Sequence, residues 1–387
     1  MKRIGFFQND DRTGCDGMKK NNRILAWFTM VLLAFAIPYV GTRLFVRYRD
    51  VSDARIAALS SSRDVCILQN ENYRLIDCEE YILYVLAGIY DPSWNVEMTK
   101  TMAVLTRTAI YYEMNDQADT ANGGGKIINE GDLKEIRVEK DELKQKWGKE
   151  YKQNMKMVYQ AVKDTMGQVI VYDGRLIIPV SHAVSIGVTV SAEELYGTAI
   201  PYLVSVDSSQ DIQSPDFSST KIYSALRIKK EFGMNGEGEA FDGVENLGQT
   251  GEVAAAVKDG GGKEATDNKD GEKSKSETTG SVPSEEQAVD ADALTVLEAT
   301  KSGFVRKVNV FGTVVTGETF AQTLSLGTTN FHIDQVEEGY RIISIGKGSS
   351  LGMSMYGAGW KADQGSTYRE IIAYYYPETL IADGAAY

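Results

Sequence analysis

The chain has 387 residues, 43% hydrophobic and 25% charged, an ordinary globular balance with room for about two domains or one large domain with insertions. A formal net charge of −13 argues against a nucleic-acid partner, whose phosphates call for a clustered Lys/Arg surface. With three cysteines, two histidines and no CxxC spacing there is little from which to build a metal site, and neither metal nor cofactor is expected.

In chain order, residues 1–23 read as a short tail that carries Arg12, Lys19, Lys20 and Arg23. Residues 24–42 (ILAWFTMVLLAFAIPYVGT) then run without a charge. At the helical rise such a run spans about 28 Å, close to a bilayer's hydrocarbon core, and predicts one transmembrane helix. The basic residues before it favour a cytoplasmic N-terminus, although Arg43, Arg47 and Arg49 follow closely and weaken the asymmetry. A signal peptide cleaved after Ala34-Phe35-Ala36 is the alternative. A retained anchor is preferred because the uncharged run continues past that point. Either way the bulk of the chain is expected outside the cytoplasm, tethered to the cell membrane by a single pass, with residues 43–64 as a stalk.

Val65-Cys66-Ile67-Leu68 and Tyr73-Arg74-Leu75-Ile76 flank the turn-prone Asn70-Glu71-Asn72, which predicts a hairpin. Cys66 and Cys78 are equidistant from Asn72 and could oppose one another. In an oxidising compartment they could join, closing a loop of about 13 residues worth roughly 3 kcal/mol; two buried thiols are the alternative. Asp77 with Glu80 resembles a capping box, and Ile82, Val85, Leu86 and Ile89 follow the stripe of a core-facing helix. That pattern places Ile89 on the buried side. After Asp91-Pro92-Ser93-Trp94, Asn95 can cap a second helix whose apolar side is Met98, Met102, Leu105, Ala109 and Tyr112. Lys100 and Arg107 sit seven apart and share another face. They could meet an anionic or sugar-rich ligand, or equally form a solvated or ion-paired face.

Residues 79–111 (EEYILYVLAGIYDPSWNVEMTKTMAVLTRTAIY) resemble the opening block of the stage II sporulation protein D (SpoIID) and amidase-enhancer family. Four further blocks resemble it in order. They are residues 161–178, residues 181–197 (SHAVSIGVTVSAEELYG), residues 302–333, and residues 346–380, which include GKGSSLGMSMYGAGW and end in YYYPETL. The resemblance implies a domain that works on peptidoglycan glycan strands. Active members are similar to lytic transglycosylases that cut denuded strands at the MurNAc–GlcNAc linkage; others enhance wall amidases or act with sporulation membrane proteins. It also implies a substrate-binding set here of Lys100, Arg107, His182, Ser185 and Tyr356. Read without it, His182 and Tyr356 fit a satisfied core histidine and a tyrosine packed beside glycines.

Glycosidic cleavage needs a proton for the leaving oxygen, commonly from a carboxylic acid. The resemblance assigns that role to a Glu eighteen residues before the Arg of A-R-T, where this chain has Ile89. Asp91 is a possible substitute, although an Asp before a proline more often makes a turn. The block at 348–357 lacks the family's His and Gln, and Ala183 and Val184 replace serines. Residues 236–290 are rich in Gly, Glu, Lys, Asp, Ser and Thr and read as a disordered acidic insert; residues 113–150 read as a charged surface stretch. The expected whole is an α+β SpoIID-like domain in two halves, 65–235 and 291–387, on a single-pass anchor. It binds glycan or hydrolase partners and lacks the family's acid. A lytic transglycosylase using Asp91 or another carboxylate, and a non-enzymatic membrane scaffold, are the alternatives.

Overall fold

The computed structural model of the chain describes residues 51–61, 63–69, 71–120, 127–234 and 293–387. The tail at 1–23, the charge-free run at 24–42, the first part of the expected stalk and the acidic stretch at 236–290 lie outside the described residues. Among the described residues no helix is long and apolar enough to cross a membrane. Residues Asp53–Tyr387 make up one unit of mixed α+β structure, built from helices and small sheets.

The expected hairpin is present: β1 (Asp64–Gln69) pairs antiparallel with β2 (Asn72–Asp77). Gln69 pairs with Asn72, so two residues make the connection, and Glu71 takes the positive φ of 64° that such a turn requires. This sets Cys66 opposite Leu75, not Cys78. Cys78 is instead the first residue of the helix that follows, and both thiols are free. The disulfide expectation is therefore corrected by the register of the turn. Burial also raises the Cys78 thiol above its ordinary range.

Helix α1 (Cys78–Ile89) starts at Asp77, whose carboxylate accepts from the Glu79 N–H at 2.8 Å. It packs on α2 (Val96–Thr120), and both pack on α3 (Tyr151–Asp164). Ile82, Val85 and Leu86 are buried as the stripe requires, but Ile89 is 45% exposed. The helix ends at that residue, the backbone turns extended at Tyr90, and Tyr90 is buried in its place. Within 113–150, read as surface, α4 (Lys140–Trp147) buries Leu143 and Trp147.

The layers on either side of the 236–290 stretch interleave. Strand β3 (Gln168–Tyr172) pairs with β4 (Leu380–Asp383), and β5 (Ser181–His182) pairs in parallel with β6 (Met353–Ser354). Strand β7 (Ser218–Tyr223) pairs with β8 (Gly339–Ile345). A further apolar core gathers Tyr223, Val308, Val310, Phe320, Phe331 and Ile342 from both sequence halves.

One buried ion pair ties the helical layer to the sheets. Arg107 on α2 and Glu79 on α1 are both fully buried and meet through two 2.7 Å contacts, Nε to Oε1 and Nη2 to Oε2. Arg107 Nη1 also donates to the Gln168 carbonyl on β3 at 3.2 Å, and the Gly167 N–H donates to Glu79 Oε1 at 3.0 Å. Removing one partner leaves a buried charge unpaired, which typically costs about 3–5 kcal/mol. Arg107→Met is expected to lower unfolding stability by that amount in urea titration. A loss below about 1 kcal/mol would show that the pair does not hold the layers.

Candidate functional site

The residues singled out by sequence separate into a buried group and a surface group. Arg107, His182 and Ser185 are buried, which corrects their expected role as ligand contacts. Arg107 is consumed by the ion pair. Ser185 donates its N–H to Asp211 at 2.7 Å, and its hydroxyl accepts from the Gly187 N–H at 3.1 Å, so it shapes a turn. His182 Nδ1 lies 2.9 Å from the Leu351 carbonyl, while its buried Nε2 has no partner among the described residues.

These buried groups clamp two sequence-distant blocks together. His182 is opposite Ser354 in the parallel β5–β6 pair, and the Tyr356 N–H donates to the Ala183 carbonyl at 3.0 Å. Gly348 has a φ of 105°, and a Cβ there would lie 2.8 Å from that of His182, so only glycine fits the crossing. At Gly357 a Cβ would meet the Tyr375 hydroxyl at 2.1 Å, where Tyr375, Ser208 and Gln210 share a buried hydrogen-bond cluster.

Lys100 is 18% exposed at its side chain, but its ammonium is paired with Glu97 at 3.1 Å and Asp164 at 3.6 Å. Asp91 accepts from the Ser93 N–H at 2.8 Å, the turn role that competes with catalysis. Tyr356, by contrast, borders an open groove.

That groove has a volume of about 210 Å³ and lies between the turn before α2 and helix α5 (Met355–Asp363). Trp94 and Asn95 form one wall; Tyr356, Gly359, Trp360 and Asp363 follow one face of α5 and form the other. Trp94 meets Tyr90 edge-on at 6.0 Å, and Tyr90 meets Trp147 at 5.9 Å, so an aromatic stack backs that wall. Asn95 is used twice. Its Oδ1 accepts from the Glu97 and Met98 N–H groups at 3.0 Å, capping α2 as expected, while its Nδ2 donates to Asp363 Oδ1 at 2.8 Å. The groove thus contains an acid, Asp363, that sequence reading did not single out. Nothing local in Lys361-Ala362-Asp363 marks it; only the fold brings it to Asn95. Ile89 does not line the groove; it leads through Tyr90 into the wall.

A larger cleft of about 610 Å³ includes Tyr196, Phe304, Arg306, Glu318 and Ser349. It is mainly apolar, and none of the residues expected from sequence borders it.

The family profile described as stage II sporulation protein matches residues 69–172, from the hairpin through β3. The chain is 25% identical to stage II sporulation protein D of Bacillus subtilis over 82% of this chain and 78% of that protein. It is 24% identical to stage II sporulation protein D of Bacillus amyloliquefaciens over 88% and 84%, respectively. An uncharacterized protein of Brachyspira hyodysenteriae is 23% identical over 90% of this chain and 73% of its own. The chain is thus similar to stage II sporulation protein D over most of its length, and the resemblance seen in its motif blocks is borne out.

Burial holds the His182 imidazole down at about 4, against 6.5 for the free side chain; the Leu351 carbonyl and Asp211 pull the other way. The unfolded chain therefore takes up a proton below pH 6.5 that the fold resists until about pH 4. Stability from the neutral ring is full above pH 6.5 and is lost as pH falls towards 4, by about 3 kcal/mol at roughly 1.4 kcal/mol per unit. His182→Phe is expected to flatten that part of the stability–pH profile. An unchanged acid slope would show that His182 is not the titrating group.

Proposed function

We propose that this protein is a membrane-anchored, extracytoplasmic member of its family that holds peptidoglycan glycan strands, or a wall amidase bound to them, without cutting the glycan. The single observation that carries this is Ile89. It stands where the resemblance requires the proton donor, it is exposed, and its side chain cannot give up a proton. General acid–base help is typically worth about 10²–10⁴-fold in rate, so its loss removes turnover while leaving surface contacts intact. The anchor rests on the charge-free run at 24–42, which is long enough to span a bilayer.

A second reading has one specific observation behind it. Asp363 is a carboxylate in the same groove as Tyr356, and a transglycosylase could use it in place of the missing Glu. Its Oδ1 already accepts the Asn95 amide N–H, an acceptor's geometry, which favours binding over proton donation.

Two experiments bear on these readings. Full chain in detergent is expected to co-sediment with purified sacculi, and failure to do so would remove wall binding. Ile89→Glu is expected to give release of 1,6-anhydro ends from denuded strands at least about 10²-fold above the parent. If the parent already releases them, and Asp363→Asn abolishes release, the second reading holds instead.

A further inference from the structure

We infer that the outward face of the β1–β2 hairpin is a lipid-contact surface, laid flat on the bilayer that the chain's charge-free run enters. This goes beyond wall binding and rests on the anchored reading of residues 24–42.

The strand register defines the face. In an antiparallel pair, residues set directly opposite one another point the same way. Val65 with Ile76, and Ile67 with Arg74, turn towards the domain, where Val65, Ile67 and Ile76 are buried. Cys66 with Leu75, and Leu68 with Tyr73, turn away. Leu68, Tyr73 and Leu75 are 56%, 78% and 53% exposed. The short strand Ile127–Asn129 pairs in parallel along the other side of β1 and repeats the pattern. Ile128, level with Val65, is buried, whereas Ile127, level with Asp64, is 60% exposed. Four large apolar side chains thus share one solvent-facing sheet surface, about 20 Å long and 10 Å wide. A lone exposed leucine is ordinary, but a contiguous apolar surface marks a contact.

The path of the chain selects lipid as the occupant. The charge-free run ends at Thr42, and Asp53 opens the helical turn Asp53–Ile56. The ten residues 43–52 between them reach at most about 35 Å. The helical turn enters the domain beside the hairpin: Ile56 and Ala57 share a cavity of about 280 Å³ with Ile67, Arg74 and Ile76. A little further on, the Ser61 N–H donates to Asp77 at the end of β2 at 2.6 Å. The hairpin is therefore the part of the domain joined most directly to the tether. A tether also raises the effective concentration of this face at the bilayer, so a patch too small to hold a free protein suffices.

The side chains suit that occupant. Leu68, Leu75 and Ile127 match the acyl boundary, and Tyr73 brings a ring of the kind that settles at the headgroup level. The outward residues of the three strands include no Lys or Arg, and Asp64 and Asp77 lie together at the end away from the turn. The contact is thus apolar and gains nothing from anionic headgroups. Its consequence is positional. Helix α1 leaves the end of β2 and carries the chain, over 12 residues and about 18 Å, towards the turn that bears Trp94. With the hairpin seated, the groove is held at a fixed height above the bilayer.

The test uses full chain in phosphatidylcholine nanodiscs, a single chain to each disc. The background carries Cys15→Ser and Cys66→Ser, and Cys78 is left in place because it is buried. Bimane is attached through Tyr73→Cys or, as the control, through Leu226→Cys, a position 74% exposed on the helix Ala225–Glu231. Doxyl-labelled phosphatidylcholine is expected to quench the probe at position 73 at least about twofold and to leave the one at 226 unchanged. Adding Leu75→Asp is expected to abolish that quenching with the far-ultraviolet dichroism unchanged. Replacing about a third of the lipid with phosphatidylglycerol is expected not to deepen it. The inference is overturned if the two probes respond alike, if Leu75→Asp leaves the quenching intact, or if quenching requires phosphatidylglycerol. A probe at position 73 that is shielded from iodide yet unquenched by lipid overturns it in favour of a protein contact. Co-purification with the discs separates the two levels. Chain held in discs with an unquenched probe sinks the hairpin contact and leaves the anchor standing, whereas chain that does not enter discs sinks both.

Discussion

The fold depends on one ion pair taken out of water. Glu79 and Arg107 are fully buried, and desolvating them is repaid only because their geometry is bidentate and their remaining donors and acceptors find backbone partners. The pair fixes α1 against α2, and through Gly167 and Gln168 it fixes both helices against β3. Strand β3 then pairs with β4 at the far end of the chain. The groove is positioned by the same chain of contacts. The turn that carries Trp94 and Asn95 joins the two helices that the pair holds together, and the opposing wall follows β6, itself pinned to β5.

Much of this was legible in the residues. The hairpin and the cap at Asn95 both follow from turn and cap chemistry acting over a few positions. The failures arise where a local rule meets a boundary. Symmetry about Asn72 missed the true pivot because a two-residue turn with Glu71 at positive φ shifts the register and sends Cys78 into a helix. The helical stripe predicted a buried Ile89, but the helix ends there and Tyr90 takes the buried place.

Lys100 and Arg107 teach a related lesson. Two helical turns apart, they do share a face, yet α2 passes from a solvent-lapped start into the centre of the domain over that length, about 10 Å. The wheel angle carries no information about depth. Asp363 escaped notice for the opposite reason. Its partner Asn95 is 268 residues away, and no sequence pattern announces an encounter between a helix cap and the end of a distant helix.

Seen from the site, the proposed function is one of contact on a rigid frame. Glycines let the 346–357 block cross His182 and the Tyr375 cluster, and Ile89 stands where the resemblance would put an acid. On the proposed reading, such a domain keeps the rigid frame on which contacts are arrayed and lacks the one group whose proton would break a bond. The most direct measurement is product analysis of denuded glycan strands after long incubation with the unaltered full chain, with bound protein quantified in the same sample. Strands of unchanged length carrying bound protein are the expected result; accumulation of shorter strands ending in 1,6-anhydro sugars would contradict it.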